Sequence, residues 1–254
     1  MSILEADKIK LKADGKSILL SFDGDSKIFS LLTNDWFTPE FWQQDDAVIG
    51  QSKGRHITWF VQPSSDISEQ SWVLRHYYRG GMVSKITRDL FVFTGLTNTR
   101  PYRELRLLNW MIESQLPVPK PIAARIDRIG LFYRADLLME KIGGKDLVAH
   151  LTKQELNEVQ WSKIGVLIAK FHLAGIYHAD LNAHNIMLND TDKFWLIDFD
   201  RCERRVIKDI WRMQNIERLK RSFLKEKQQL SNFYFDKNCW NYLLNGYHSK
   251  MEKP

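Results

Sequence analysis

A polar loop followed by an apolar run constrains the fold of this chain most. Residues 176–188 read IYHADLNAHNIML and place Asp180 and Asn185 between apolar flanks. Residues 194–200 read FWLIDFD, so Asp198 lies in an aromatic, strand-like run where an unpaired carboxylate is costly. A short hairpin between loop and run would bring the three side chains together. The alternative is that they are helix-capping and turn residues.

This set of side chains suits phosphoryl transfer. A carboxylate can accept the proton of an attacking hydroxyl, and Mg²⁺ prefers oxygen ligands. We expect Asp180 to be the catalytic base and Asn185 and Asp198 to be the Mg²⁺ ligands.

The residue pattern divides the chain into a strand-rich part, residues 1–143, and a helix-rich part, residues 144–254. Strands are predicted at four places: 56–62, 71–78, 122–126 and 131–140. We expect the first two to be antiparallel neighbours. Helices are predicted at three places: 100–116 before Pro117, 161–174 before Gly175, and 208–230. Thr152 and Glu155 fit a capping box.

Composition excludes several classes of protein. Only two cysteines occur in 254 residues, which argues against a disulfide-stapled secreted scaffold and for a reducing cytosol. Charges precede any apolar run that could serve as a signal peptide, and no run is long enough to span a bilayer. The net charge of +6 suits nucleic acid, phosphorylated molecules or an anionic membrane surface. Any membrane contact is therefore expected to be peripheral.

Several motifs resemble those of protein-kinase-like enzymes. HADLNAHN, residues 178–185, resembles their catalytic loop, and IDFD, residues 197–200, resembles their Asp-Phe-Gly motif with Asp200 in place of the glycine. No Ala-Pro-Glu motif follows, which weakens the case for a protein substrate. Three further segments resemble the lipopolysaccharide core sugar kinases of this superfamily: residues 72–81, 117–124 and 138–142.

The resemblance, which runs from about residue 50 to about residue 224, implies an α+β, two-lobed protein-kinase-like fold with ATP between the lobes. It implies phosphorylation of the 4-hydroxyl of 3-deoxy-D-manno-octulosonic acid (Kdo) on Kdo–lipid A. The enzyme would work peripherally at the cytoplasmic face of a Gram-negative inner membrane, with no nucleic-acid partner. The alternatives are a heptose kinase, a protein Ser/Thr kinase and a non-catalytic lipid- or nucleic-acid-binding module.

The resemblance also implies a nucleotide site. The segment GQSKGR, residues 50–55, contains two glycines, Gly50 and Gly54. They would let the backbone approach the phosphates of the nucleotide closely. Arg75 stands where a phosphate-binding lysine is expected, with Lys85 as the competing candidate, and Glu104 matches its helix partner. The backbone of the hinge residues Glu140 and Ile142 would bind adenine. The Asp146 carboxylate would approach the ribose. The alternatives are an ordinary hairpin turn for the glycines and surface charges for Arg75 and Glu104.

Other residues near the motifs receive simpler interpretations. We interpret His178 as a structural support of the loop and Cys202 as an incidental thiol. The basic residues of the last predicted helix are either a solvated face or a surface attracted to anionic lipid or substrate: Arg212, Arg218, Lys220, Arg221, Lys225 and Lys227.

Overall fold

The computed structural model describes residues 9–22, 26–53, 57–79 and 89–252. The strands are β1 (Ile9–Asp14), β2 (Ser17–Phe22), β3 (Val48–Lys53), β4 (Ile57–Val61), β5 (Trp72–His76), β6 (Phe91–Val92), β7 (Pro121–Ile129), β8 (Phe132–Glu140), β9 (Lys145–Asp146), β10 (Ile176–Tyr177), β11 (Ile186–Leu188), β12 (Phe194–Leu196) and β13 (Glu203–Arg204). The helices are α1 (Ser26–Leu31), α2 (Pro39–Gln44), α3 (Arg100–Glu113), α4 (Leu147–Leu151), α5 (Glu158–Leu173), α6 (Asp209–Gln229) and α7 (Lys237–Glu252).

These elements fall into two compact units. The sheet unit comprises the described residues within 1–109 and 120–141. The helical unit comprises those within 110–119 and 142–254. Strands dominate the first and helices the second, so the predicted α+β fold class is confirmed.

The sheet unit is built on an antiparallel sheet. Its described strands run in the order β1-β2-β7-β8-β5-β4-β3, and β6 pairs with β8. The predicted neighbours β4 and β5 are antiparallel, with Trp59 opposite Leu74. Three buried tryptophans, Trp36, Trp42 and Trp72, form the centre of its core, with ring centroids 5.4–6.3 Å apart. Because Trp72 lies on β5, this core holds the strand that carries Arg75.

In the helical unit, α5 packs closely against α7. A Cβ atom at Gly165 would lie 1.9 Å from the Leu243 carbonyl oxygen, and one at Gly246 would lie 2.1 Å from the Ser162 carbonyl oxygen. Glycine at both positions therefore lets the two backbones approach. The predicted end of α5 is confirmed, because Gly175 follows it with a positive φ of 76°.

The predicted capping box was wrong. Thr152 lies at the C-terminus of α4, where its hydroxyl donates to the Ala149 carbonyl. The capping box belongs instead to Asn157 and Gln160 at the start of α5, where each side chain accepts from the other residue's backbone N–H. The sequence pattern is ambiguous because both segments offer a capping side chain three residues before a polar partner.

The described helices include none that combines the length and the apolar character needed to cross a membrane. α6 is the longest of them, yet its sequence is rich in lysine and arginine.

A buried histidine makes the helical unit sensitive to pH. His172 on α5 is 2% exposed, and its Nδ1 lies 2.9 Å from the Tyr247 hydroxyl oxygen. Burial lowers the pKa of His172 from 6.5 to about 3. The unfolded chain therefore binds a proton below about pH 6.5 that the folded chain does not bind.

Replacing His172 with Gln should flatten the pH dependence of the unfolding free energy. The free energy of unfolding decreases as the pH is lowered wherever the unfolded state binds more protons, by about 1.4 kcal/mol per pH unit for one such group. Between about pH 7.5 and about pH 5.5, the parent should lose about 1.4 kcal/mol more than His172→Gln. Urea unfolding at both pH values measures this, with His248→Gln, at an exposed histidine of α7, as control. Equal pH dependence in parent and His172→Gln would contradict the assignment.

Candidate active site

The loop that carries Asp180 is held by a buried histidine. The Asp180 backbone N–H donates to His178 Nδ1 at 3.2 Å, and His178 Nε2 lies 3.0 Å from the Ile197 carbonyl oxygen. Because a carbonyl only accepts, Nε2 carries the proton and Nδ1 is the acceptor. Burial lowers the pKa of His178, which favours this neutral form. His178 therefore ties the loop to the segment that contains Asp198.

A second anchor comes from α6. The Asn215 side chain accepts from the His178 N–H at 3.2 Å and donates to the His178 carbonyl at 3.1 Å. Asn215 is buried on the apolar stripe of α6. The Ser222 hydroxyl of the same helix accepts from the Ala183 N–H at 3.0 Å. Sequence reasoning missed both contacts, although a polar residue within an apolar helical stripe is a recognisable signal.

Asn185 is oriented by its own turn. Asn182 Oδ1 accepts from the backbone N–H groups of His184 and Asn185, which closes the 3-10 turn Ala183–Asn185. The Asn185 Nδ2 atom donates to the Asp180 carbonyl at 2.9 Å. The amide oxygen is then the Asn185 side-chain atom suited to a cation.

A hairpin places Asp198 next to Asn185. Strands β11 and β12 pair with Ile186 opposite Leu196. One residue further, the Ile197 N–H donates to the Asn185 carbonyl at 3.0 Å. Asp198 follows directly, so the hairpin brings two of the predicted metal ligands to one end of a strand pair.

The backbone at Asp198 adopts a conformation that side-chain-bearing residues rarely take. Its φ is +62°. For a residue with a Cβ atom this costs about 1 kcal/mol or more. Phe199, the next residue, is buried and stacks on Phe171 at a centroid distance of 5.9 Å. The packing of the buried Phe199 ring holds residues 198 and 199 in place and so stabilises the left-handed backbone conformation of Asp198.

Cys202 is not an incidental thiol. Its sulfur accepts from the Ala179 N–H at 3.3 Å and lies 3.8 Å from the Asp198 carbonyl oxygen. The side chain therefore bridges the loop of Asp180 and the turn after Asp198. No sequence pattern signals this contact, because it joins residues that are far apart in the chain.

Asp180 has a cationic partner that the sequence pattern did not reveal. Arg218 Nη1 on α6 donates to Asp180 Oδ1 at 2.7 Å. The Asp180 side chain is 56% exposed and that of Arg218 is 46% exposed. The carboxylate is thus accessible to a substrate and lies beside a guanidinium.

The helical unit offers oxygen ligands for Mg²⁺. The described residues contain no group of three or more His, Cys, Asp or Glu side chains able to hold a metal ion. Asn185 and Asp198 supply amide and carboxylate oxygens, which fit Mg²⁺ because it keeps water and takes substrate phosphates as further ligands. The donor set therefore fits a metal held jointly with a nucleotide.

The sheet unit contains a separate charged cluster. Arg75 Nη2 on β5 lies 2.7 Å from both carboxylate oxygens of Glu104 on α3. The Tyr77 hydroxyl donates to Glu104 Oε2 at 2.7 Å. Burial, with the Glu104 charge, raises the pKa of Tyr77 well above 10, so its hydroxyl stays protonated. Glu104 is 3% exposed, and these donors compensate its buried charge.

The remaining predicted nucleotide-binding residues lie apart from this cluster in the chain. Gly50 lies within β3, where a Cβ atom would be 3.4 Å from the Phe60 ring. Glu140 ends β8, and its N–H donates to the Lys120 carbonyl at 2.8 Å. Ile142 opens the following part of the helical unit. Gly54 and Lys85 lie outside the described residues.

Asp146 has a structural role in the described geometry. Its Oδ1 accepts from the Val148 and Ala149 N–H groups at the start of α4. The same oxygen lies 3.4 Å from His184 Nδ1, and the hydrogen bond to Asp146 raises the pKa of His184. Asp146 therefore caps a helix whether or not it meets a ribose.

Comparison with known proteins identifies the family. Residues 39–247 match the Lipopolysaccharide kinase (Kdo/WaaP) family. A 3-deoxy-D-manno-octulosonic acid kinase of Haemophilus influenzae (strain Rd) is 44% identical over 245 residues, 94% of this chain and 99% of that protein. One of Vibrio cholerae is 47% identical over 189 residues, 74% of this chain and 78% of that protein.

The chain belongs to the lipopolysaccharide kinase (Kdo/WaaP) family. A third relative, the 3-deoxy-D-manno-octulosonic acid kinase of Actinobacillus succinogenes, is 45% identical over 217 residues, 84% of this chain and 89% of that protein. The predicted family and the predicted class of enzyme, a phosphotransferase, are confirmed.

Proposed function

We propose that this protein transfers the γ-phosphoryl group of ATP to the 4-hydroxyl of Kdo on Kdo–lipid A. The relatives named as 3-deoxy-D-manno-octulosonic acid kinases support this acceptor, since they match most of the chain. The observation that carries the proposal is the fixed loop in which His178 joins Asp180 to the segment of Asp198. The enzyme acts peripherally at the cytoplasmic face of a Gram-negative inner membrane.

Asp180 is the catalytic base in this proposal. Its carboxylate accepts the proton of the acceptor hydroxyl as that oxygen bonds to the γ-phosphorus, and the bond from this phosphorus to the leaving oxygen of ADP breaks. The Asn185 amide oxygen and the Asp198 carboxylate would hold Mg²⁺, which would neutralise phosphate charge. The proton leaves Asp180 for solvent after product release.

Nucleotide binding by the sheet unit remains part of the proposal. Arg75 takes the role of the superfamily lysine, because Glu104 holds its guanidinium by a buried ion pair. Arginine keeps its charge and can donate to phosphate and carboxylate together. The other proposed nucleotide-binding residues are Gly50, Gly54, Glu140 and Ile142.

The position of Arg218 favours a phosphoryl acceptor that carries a carboxylate. One of its five donors is used by Asp180, so the guanidinium can also bind a carboxylate. In Kdo the carboxylate is on the anomeric carbon, two ring positions from the 4-hydroxyl. A sugar held by Arg218 through its carboxylate would therefore offer that hydroxyl to Asp180. A heptose lacks this carboxylate, which favours Kdo over the heptose alternative.

The direct test measures phosphate transfer from ATP to three acceptors: Kdo–lipid A, a heptosylated core and a generic protein. We expect transfer to Kdo at its 4-hydroxyl, located by NMR of the product. Asp180→Asn should lower kcat by about a hundredfold to ten-thousandfold, the typical cost of losing a general base, while ATP binding survives. Preferred transfer to heptose or protein, or transfer to none with intact lipid binding, would contradict the proposal.

Arg218→Gln tests the acceptor contact separately. Hydrogen bonds to charged groups contribute about 1.5–3 kcal/mol, so KM for Kdo–lipid A should rise about tenfold to a hundredfold. KM for ATP should change little. Arg221→Gln, at an exposed basic residue of the same helix, is the matched control. A rise in KM for ATP with an unchanged KM for the acceptor would remove Arg218 from the acceptor site.

A further inference from the structure

An exposed apolar surface follows the Asp198 segment in the helical unit. All residues from 203 to 210 are exposed. Val206 is 78% exposed and Ile210 is 72% exposed, while Ile207 and Met213 are each 46% exposed. Ile210 and Met213 are three residues apart on α6 and so share a helix face. We call these four side chains the 206–213 surface.

The charges around this surface are mainly positive. Residues 201–212 contain two acidic residues, Glu203 and Asp209, and five basic ones: Arg201, Arg204, Arg205, Lys208 and Arg212. Apolar side chains bordered by basic ones are typical of segments that lie in the interface of an anionic bilayer. Each basic residue near such a surface contributes about 1 kcal/mol of attraction.

The 206–213 surface is fixed beside the catalytic loop. Strand β13 pairs with β10, which directly precedes His178. The Arg205 N–H donates to the Gly175 carbonyl at 2.8 Å, and the Arg205 guanidinium lies 3.5 Å from the centre of the Tyr177 ring. The Val206 carbonyl accepts from the buried Trp211 indole at 2.9 Å. These contacts hold the backbone of the surface on the scaffold that positions Asp180.

The predicted basic face of α6 is largely engaged within the chain. Four of the six predicted to attract anionic lipid have partners within the chain. Arg212 pairs with Asp209, and Arg218 pairs with Asp180. Lys227 donates to the Phe235 carbonyl, and Lys220 lies over the Trp240 ring. Basic residues at 201–212 are engaged in the same way, since Arg205 pairs with Glu203 and Arg204 lies over the Trp110 ring. What distinguishes 201–212 is the group of exposed apolar side chains beside its basic ones.

We propose that the 206–213 surface docks this protein on an anionic lipid bilayer. The apolar side chains enter the headgroup region and the surrounding basic side chains contact lipid phosphates. The purpose of this contact rests on the proposed function, because the acceptor is carried on a lipid. The binding itself does not depend on turnover and is measured without ATP or acceptor.

The test is co-sedimentation of the full chain with vesicles of phosphatidylethanolamine and phosphatidylglycerol. The double variant Val206→Glu, Ile210→Glu should weaken binding about tenfold or more, since it places two charges where apolar groups enter the interface. Neutral phosphatidylcholine vesicles should bind the parent weakly. Urea unfolding of each variant confirms that it is folded.

Val159→Glu is the matched control. Val159 is the second residue of α5, as Ile210 is of α6, and it is 62% exposed. This variant should bind vesicles as the parent does. Equal binding by the double variant, equal loss in the control, or equal parental binding to neutral vesicles would overturn the proposal.

Two other results would also overturn it. Loss of vesicle binding on Leu131→Glu, but not in the double variant, would place the contact on the β7–β8 turn, where Leu131 is 78% exposed. A parental dimer that the double variant abolishes, without vesicle binding by either, would identify the occupant as a second copy of this chain. Vesicle binding without kinase activity on any acceptor would support docking while contradicting the proposed function.

Discussion

The candidate active site is organised around a buried, neutral imidazole. His178 accepts from the backbone of Asp180 on one side and donates to the Ile197 carbonyl on the other. Its burial disfavours the protonated ring, and a protonated ring could not accept from Asp180. The loop that carries the proposed base and the hairpin that carries the proposed metal ligands are therefore joined through this side chain, as they also are through Cys202. The neutral form of His178 is the one that fits both hydrogen bonds.

The hairpin that brings Asn185 close to Asp198 was predictable from the sequence, because the residues that signal it are close together in the chain. Apolar runs on both sides of a polar loop favour a hairpin, and β11 and β12 form it, with Asn185 next to Ile197. Strands β4, β5, β7 and β8 and the α+β class follow from residue patterns, and the ends of α3 and α5 follow from Pro117 and Gly175. The roles assigned to Asp180, Asn185 and Asp198 remain predictions that this geometry supports.

The contacts that the sequence did not reveal join segments distant in the chain. Arg218 reaches Asp180 across 38 residues, and Asn215 reaches His178 across 37. A basic helix face predicts charge but does not say which arginine turns toward a carboxylate. Cys202 illustrates the same limit, since its hydrogen bond to Ala179 depends on the turn after Asp198. The capping box was misplaced because two adjacent segments carry similar capping signals.

The central claim is that Asn185 and Asp198 form one metal site while Asp180 stands beside it as a base. Binding of Mn²⁺ in the presence of ATP, followed by electron paramagnetic resonance, measures this most directly. Loss of groups that merely orient metal ligands typically costs 10–100-fold in affinity, so we expect Asn185→Ala and Asp198→Ala to weaken Mn²⁺ binding by about tenfold or more. Asp180→Ala should leave it nearly unchanged. Equal affinity in all three variants, or a loss confined to Asp180→Ala, would contradict the account.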